Sequence, residues 1–200
     1  IEVVSVDSAL VYCGLDIGTA KPNPAIRCRV RHHLIDICDP AERYSAGRFR
    51  LDALAAIEDI AARGRLPVLV GGTGLYFRAL ERGIAALPAA DASVRQALQD
   101  DLDLHGLAHL HARLAAVDPE GAARIHCNDP QRLIRALEVH ALTGQPISKL
   151  WRVGDPVALP HPVVKIVVAP AERGVLHGRI ATRFHSMMER GFINEVRNLR

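Results

Sequence analysis

The sequence predicts an α/β protein with a doubly wound parallel sheet and an inserted helical subdomain. Apolar runs of strand length occur at four places and are continuous rather than alternating, which is typical of parallel strands covered on both faces. A helical pattern lies between two of these runs, as in a βαβ unit. A long stretch, from about residue 87 to residue 150, is helical throughout. It predicts a subdomain inserted into the α/β core.

The predicted strands are EVVSVD (2–7), HLIDI (33–37), LPVLVGG (66–72) and VVKIVVAP (163–170). Between the second and the third, Ser45 is placed to cap a helix because its hydroxyl can accept a free backbone N–H. Gly64 is placed to close that helix in a left-handed conformation. The order strand, helix, strand indicates a right-handed crossover onto a parallel neighbour.

The predicted domain division assigns residues 1–86 and 151–200 to the α/β core and residues 87–150 to the insertion. Helices of the insertion begin at Asp118-Pro119 and Asp129-Pro130, where the acid caps the first turn and proline fits within it. Residues 151–162 are rich in Pro and Gly and are predicted to be the linker back to the core. After this linker and the fourth strand, an amphipathic helix is predicted to break near Gly191.

Composition is that of a soluble globular protein of 200 residues, 49% of them hydrophobic. The net charge of +3 is too small to indicate nucleic-acid binding by itself. The four cysteines have no CxxC spacing, so neither a zinc motif nor a redox motif is predicted. Reduced cysteines and the lack of a long apolar run predict a cytoplasmic protein.

Two features mark the edge of the predicted sheet where ligands bind in open α/β folds. Asp7 ends the first strand, where its carboxylate serves either as a helix cap or as a functional group. The run GGTGLY follows the third strand and opens a helix, so its backbone N–H groups can approach an anion closely. A tight turn is the alternative explanation for these glycines.

Cationic side chains provide further candidates. Lys21, on the loop GTAKP, is either an ordinary surface lysine or an electrostatic clamp for phosphate. In QRLIR, Gln131, Arg132 and Arg135 fall at helical neighbour spacing. Such a face is either solvated or holds a polynucleotide backbone or base edge.

The histidines of HGLAHLH raise the possibility of a metal site. His105 and His109 are one helical turn apart and have the spacing of a shared metal ligand pair. Neither a carboxylate partner nor a third ligand in register is identified from the sequence. The prediction is therefore a polar helix face with no protein metal ligand.

Taken together, SVDSALVYCGLDIGTAKP, HHLIDI, VGGTGLYFRAL, DPQRLIRALEVHALTGQPIS and RFHSMMERGFINEV resemble the bacterial tRNA dimethylallyltransferases. The resemblance covers essentially the whole chain. It implies a nucleotide-binding core of the P-loop nucleotide-kinase-like type, with a helical insertion that holds the tRNA anticodon stem-loop. It also implies transfer of a dimethylallyl group from dimethylallyl diphosphate to N6 of adenosine 37, in tRNAs reading codons that begin with U, with Mg²⁺. A monomer is the default expectation for the oligomeric state.

The resemblance also implies roles for individual residues. Asp7 corresponds to the general base that takes a proton from the adenine amine. The candidates on the diphosphate side are Lys21, Gly72 and Gly74. The positions that correspond to tRNA contacts are Asp7, Ser8, Ala9, Leu10, Thr73, Arg95, Gln131, Arg132, Leu133, Ile134 and Arg135.

The sequence departs from the family in its phosphate loop. No Gly-Lys pair occurs in the chain, whereas the family's G-x-x-x-x-G-K-[ST] loop would precede Ile1 and a further segment would follow Arg200. The expectation is a central portion of the enzyme that is inactive alone. One alternative is an adenylate isopentenyltransferase, which would not need the insertion. Others are a non-catalytic RNA-binding remnant and a small-molecule kinase, the latter requiring the absent loop.

Overall fold

The computed structural model describes residues 1–85, 87–153, 159 and 161–199, with the backbone alone for residues 152 and 153. The chain forms two compact units. The first comprises Ile1–Arg82 and Ala158–Arg200, and the second comprises Gly83–Val157. The predicted division placed its junctions at residues 86 and 151, which differ from those of the structure by several residues.

The first unit begins with alternating strands and helices. They are β1 (Glu2–Ser5), α1 (Pro24–Arg29), β2 (His32–His33), α2 (Ala46–Ala62), β3 (Pro67–Val70) and α3 (Gly74–Arg82). Helix α2 is capped by Ser45, whose Oγ accepts the Arg48 N–H at 3.1 Å, and Gly64 follows the helix with φ of 66°. Both predicted boundaries of this helix are confirmed.

A parallel sheet organises the first unit. Its strand order is β2-β1-β3, and Val4 of the central strand is paired with His33 on one side and Leu69 on the other. Beneath one face of the sheet, Phe49 of α2 stacks on Tyr76 of α3 with ring centroids 4.3 Å apart. The core therefore fixes β1, β3 and the start of α3 relative to one another.

Two of the predicted strands, 2–7 and 66–72, are confirmed by β1 and β3. The strand predicted at 33–37 is wrong beyond His33. Leu34 and Asp36 have φ of 62° and 57°, and this left-handed conformation interrupts an extended strand. Asp36 is held there by ion pairs to Lys21 and Arg27 at 2.5 and 2.6 Å.

All described secondary-structure elements of the second unit are helices, as the sequence predicts. Asp118 and Asp129 cap their helices by accepting the N–H groups of Gly121 at 2.8 Å and Arg132 at 3.1 Å. The predicted linker at 151–162 begins inside a helix, while residues 154–158 and 160 lie outside the described residues. The helices are α4 (Ala92–Val117), α5 (Pro119–Arg124), α6 (Pro130–Thr143) and α7 (Ile147–Val153).

Helix α4 is divided by a kink at Gly106, which has φ of 80° and ψ of 174°. A residue with a Cβ rarely adopts this φ, so glycine permits the kink. The two halves pack with α5 and α6 around a core of buried Leu110, Leu114, Leu133 and Val139. The chain direction of α4 therefore changes between its first and second half.

The remainder of the first unit contains α8 (Arg173–Glu189) and α9 (Phe192–Asn198), separated by Gly191 with φ of 95°. This confirms the predicted break. Glu195 of α9 binds a loop near the start of the chain, accepting N–H groups from Asp16 at 2.8 Å, Ile17 at 2.6 Å and Gly18 at 2.9 Å. In the described part of the chain, none of the helices is long and apolar enough to span a bilayer.

The strand predicted at 163–170 does not form. Its residues are neither helix nor strand, and Val164 and Val167 are each 88% exposed. A strand requires a neighbour to pair its backbone N–H and C=O groups. The segment has no such neighbour among the described residues, which is why apolar composition alone did not produce a strand.

Candidate functional site

Asp7 lies just beyond β1 and serves as a cap. Its Oδ1 accepts the N–H groups of Ala9 at 2.8 Å and Leu10 at 3.2 Å. Within the described part of the chain, Oδ2 has no hydrogen-bond partner. The sequence left two roles open for Asp7, a helix cap or a functional group. The two roles are compatible, because Oδ1 holds the carboxylate in place while Oδ2 is available to a ligand.

Thr73 connects the glycine turn to the loop that carries Asp7. The Ser8 N–H donates to Thr73 Oγ1 at 3.0 Å, and the Thr73 N–H donates to the carbonyl oxygen of Val6 at 3.2 Å. This closeness follows from the topology, because β1 and β3 are parallel neighbours and their carboxyl ends meet. The two features predicted to mark the ligand edge are brought together.

Glycines of this turn have two different environments. A Cβ on Gly71 would lie 2.0 Å from the carbonyl oxygen of Val6, so a side chain there would push the strand ends apart. Around the Cβ positions of Gly72 and Gly74 nothing lies within 4 Å. Gly71 thus serves packing, whereas Gly72 and Gly74 leave the turn open on its exposed side. Their role toward diphosphate stays a prediction.

Lys21 is not the exposed surface lysine that is the ordinary expectation for such a loop. Its side chain is 4% exposed, and Nζ contacts Asp16 at 2.7 Å, Asp36 at 2.5 Å and the Tyr12 carbonyl oxygen at 2.9 Å. Burial lowers the pKa of Lys21, but the two carboxylates outweigh it and raise this pKa above its ordinary value. A contact with diphosphate stays a prediction and requires one of these ion pairs to open.

Arg95 and Arg135, both predicted to contact tRNA, meet at Glu138 in the second unit. Glu138 is fully buried and accepts from Arg95 Nε at 2.8 Å, Arg135 Nη1 at 2.6 Å and the Asp91 N–H at 2.9 Å. Burial raises the pKa of Glu138, but these donors hold it below its ordinary value. Glu138 was not predicted from the sequence. Its position three residues after Arg135 indicates an ion pair, because side chains with this spacing on a helix are neighbours.

The remaining predicted positions of α6 divide by exposure. Gln131 and Arg132 are exposed, and Arg132, with 72% of its side chain accessible, pairs only with Asp129 of its own cap, at 3.3 Å, among the described residues. Leu133 is fully buried and Ile134 packs against the same core. The side chain of Leu133 is therefore unavailable to a ligand.

Oxygen donors suited to Mg²⁺ lie at the Asp7 edge. They are Oδ2 of Asp7 and the hydroxyl oxygens of Ser8 and Thr73. The two hydroxyl oxygens lie 3.4 Å apart. Mg²⁺ prefers oxygen ligands and commonly uses one carboxylate together with substrate phosphate and water. The donor set here fits such an ion.

The chain is similar to known proteins along nearly its whole length. A model of the family described as IPP transferase matches residues 10–200. The tRNA dimethylallyltransferase of Nitrosococcus oceani is 57% identical over 198 residues, covering 99% of this chain and 63% of that protein. That of Alkalilimnicola ehrlichii is 59% identical over 200 residues, covering 100% of this chain and 63% of that protein. The chain thus spans about 63% of the length of these curated relatives.

Solved structures resemble the chain as well. The full-length tRNA isopentenylpyrophosphate transferase from Bacillus halodurans is 42% identical, with a TM-score of 0.61 over 99% of this chain and 61% of that one. A eukaryotic dimethylallyltransferase described as acting on tRNA is 28% identical, with a TM-score of 0.76 over 99% of this chain and 49% of that one. Both structural alignments cover residues of the sheet unit and of the helical unit.

Proposed function

Because this chain belongs to the IPP transferase family, we propose that it carries the adenosine-accepting part of a tRNA dimethylallyltransferase. The reaction transfers a dimethylallyl group from dimethylallyl diphosphate to N6 of adenosine 37, in tRNAs that read codons beginning with U. The names of the relatives and the eukaryotic structure described as acting on tRNA support this proposal.

The observation that carries the proposal is Oδ2 of Asp7, which has no hydrogen-bond partner among the described residues and lies at the ligand edge of the sheet. An adenine amine is a poor nucleophile because its lone pair is delocalised into the ring. A carboxylate oxygen that accepts one of its protons as the new bond forms makes the attack easier. The hydrogen bonds from Ala9 and Leu10 to Oδ1 hold the carboxylate in place for that transfer.

The bond changes balance without any oxidant or reductant. N6 forms a bond to the first carbon of the dimethylallyl group while the bond from that carbon to the diphosphate oxygen breaks. The diphosphate leaves with the bonding electrons, and the N6 proton passes to Asp7. In the proposal, backbone N–H groups at Gly72 and Gly74 stabilise the charge on the leaving group.

Mg²⁺ is part of the proposal, and the hydroxyl oxygens of Ser8 and Thr73 would hold it together with diphosphate oxygens, which leaves Oδ2 of Asp7 to accept the N6 proton. When bound, it supplies charge neutralisation to the diphosphate. The proposal also includes a monomeric enzyme, located in the cytoplasm, with a nucleotide-binding type of core.

The adenine must leave the base stack to reach a carboxylate at a sheet edge. An anticodon loop allows this more cheaply than a duplex does, since its bases are unpaired. Gln131 and Arg132, exposed at the start of α6, supply an amide and a guanidinium for the RNA backbone. The helical unit thus provides a surface for the stem-loop.

The test is to express the gene that encodes this chain in a bacterial strain that lacks tRNA dimethylallylation. Mass spectrometry of digested tRNA then measures N6-dimethylallyladenosine. Restoration of the modified nucleoside by the intact gene supports the proposal. Its absence despite binding of an anticodon stem-loop would indicate an RNA-binding protein without catalysis.

Asp7→Asn tests the base assignment within that assay. Asparagine keeps an oxygen acceptor for the Ala9 and Leu10 N–H groups, so the local turn should survive. The expected loss in purified enzyme is about 100-fold or more in rate, the size of a general-base contribution. Asp39→Asn is the matched control because Asp39 caps an exposed turn by accepting the Ala41 N–H at 2.8 Å. Near-normal turnover of Asp7→Asn would refute the assignment.

A further inference from the structure

Three side chains on α4 converge outside the candidate functional site. The ligand atoms of Asp101, His105 and His109 all lie within 4.8 Å of one another. From the sequence, the two histidines were predicted to have no carboxylate partner in register. Asp101, one helical turn before His105, supplies that carboxylate and completes a set of three.

The kink at Gly106 lies inside this cluster. Asp101 and His105 belong to the first half of α4, and His109 belongs to the second half. His105 Nδ1 lies 2.8 Å from Asp101 Oδ1, and His109 Nε2 lies 3.5 Å from the same oxygen. The three groups therefore span the change in chain direction.

Two of the three ligand-atom separations can be compared with those of a tetrahedral metal site, and the third, between His105 and His109, is within 4.8 Å. With ligand bonds of about 2.0 to 2.1 Å, tetrahedral zinc ligands lie about 3.3 to 3.4 Å apart. The His109 to Asp101 separation of 3.5 Å is near this value, and that of His105 at 2.8 Å must open by about half an ångström. Both rings are exposed, so small side-chain rotations accomplish this.

Arg113 orients the carboxylate of this cluster. Its guanidinium binds Oδ2 of Asp101, which leaves Oδ1 directed at the two imidazoles. An aspartate carboxylate is ordinarily ionised at neutral pH, which is the form that binds metal.

We propose that Asp101, His105 and His109 bind one divalent transition-metal ion, best matched by Zn²⁺. Two imidazoles and a carboxylate suit zinc, whereas Mg²⁺ prefers an all-oxygen set. Three protein ligands leave a position for water. The bound ion joins the two halves of α4 across Gly106 and so stabilises the helical unit.

Calorimetric titration with ZnCl₂ tests the proposal on metal-free protein. The exposed thiols of Cys13, Cys28 and Cys127 are alkylated first, since thiolates also bind zinc. The expected result is one site per chain, with changes in the NMR signals of the His105 and His109 rings alone. Zn²⁺ should also raise the thermal midpoint.

His105→Ala and His109→Ala should each weaken Zn²⁺ binding at least about tenfold and abolish the thermal shift. His177→Ala, an exposed histidine on α8, is the matched control and should leave binding unchanged. Equal thermal midpoints of all four proteins without metal show that they are folded. Absence of binding by the unaltered protein, or binding that survives both alanine variants, overturns the proposal.

Discussion

Arg95 and Glu138 form an ion pair with two contacts inside the helical unit. Nε of Arg95 donates to Oε1 at 2.8 Å, and Nη2 donates to Oε2 at 3.1 Å. Arg135 donates to the same carboxylate and also to the Pro88 carbonyl oxygen, at 2.7 Å. Two of the cations assigned to tRNA from the sequence are thus committed to a buried anion, which ties α4 to α6.

Glu138→Gln is expected to destabilise the protein by about 3 kcal/mol, the lower end for breaking a buried ion pair, since both arginines retain some access to water. Urea unfolding followed by circular dichroism measures this. Asp100→Asn, an exposed change on α4, should shift the unfolding free energy by no more than about 0.5 kcal/mol. Equal stability of the two variants would contradict the role of Glu138.

Arg132 and Arg135 are expected to differ in RNA binding. Arg132→Ala should weaken binding of an anticodon stem-loop and reduce the salt-dependence slope by about 1, without changing stability, because Arg132 is exposed. Arg135→Ala should lower stability because it leaves Glu138 with one guanidinium fewer. Binding measured between low and moderate salt, beside urea unfolding, separates the two effects. An unchanged salt slope for Arg132→Ala would show that this side chain does not meet phosphate.

Glu2 is expected to make the protein sensitive to acid. Hydrogen bonds from Arg63 at 2.8 Å and His33 at 2.7 Å lower the pKa of Glu2 from 4.5 to about 2, against an opposing effect of burial. Because the folded pKa is the lower one, the stabilisation is present above pH 4.5 and is lost as the pH falls toward 2. Glu2→Gln should therefore flatten the decline of the thermal midpoint across this range. A parallel decline in both proteins would rule out this contribution.

Glu195 is expected to hold the loop at residues 16–18. Burial raises the pKa of Glu195, but the three backbone N–H donors outweigh it, so the carboxylate stays ionised. Glu195→Ala should speed hydrogen exchange at Ile17 and Gly18 at least about tenfold, since a hydrogen bond to a charged group contributes about 1.5 to 3 kcal/mol. Glu189→Ala, at the exposed end of α8, should leave these amides unchanged. Equal exchange in both variants would show that the loop is held by other contacts.

Local signals predicted the local structure well. The Ser45 cap, the Asp118 and Asp129 caps and the break at Gly191 depend on a few neighbouring residues, and all are confirmed. The approach of Asp7 to the glycine turn was also predictable, because parallel topology places the strand ends together.

Partners distant in sequence were not predictable in the same way. The sequence around Lys21 does not reveal that Asp36, in a left-handed conformation, forms an ion pair with it. The sequence around Arg95 likewise does not reveal its hydrogen bond to Glu138, which lies 43 residues further along the chain. An ion pair of this kind depends on tertiary packing and leaves no periodic signal. The missing strand at 163–170 has the same origin, since a strand forms only where a neighbour receives it.

The exposed apolar segment at residues 163–168 has a practical consequence for handling this 200-residue chain. Short runs with high β-propensity, low charge and no proline stack readily with copies of themselves when they are open to solvent. Lys165 is the one charge in VVKIVV, and Glu81 neutralises it at 2.6 Å. Concentrated samples are therefore expected to aggregate through this segment, and dilute storage or a second charge at Val167 would suppress fibril-like assembly.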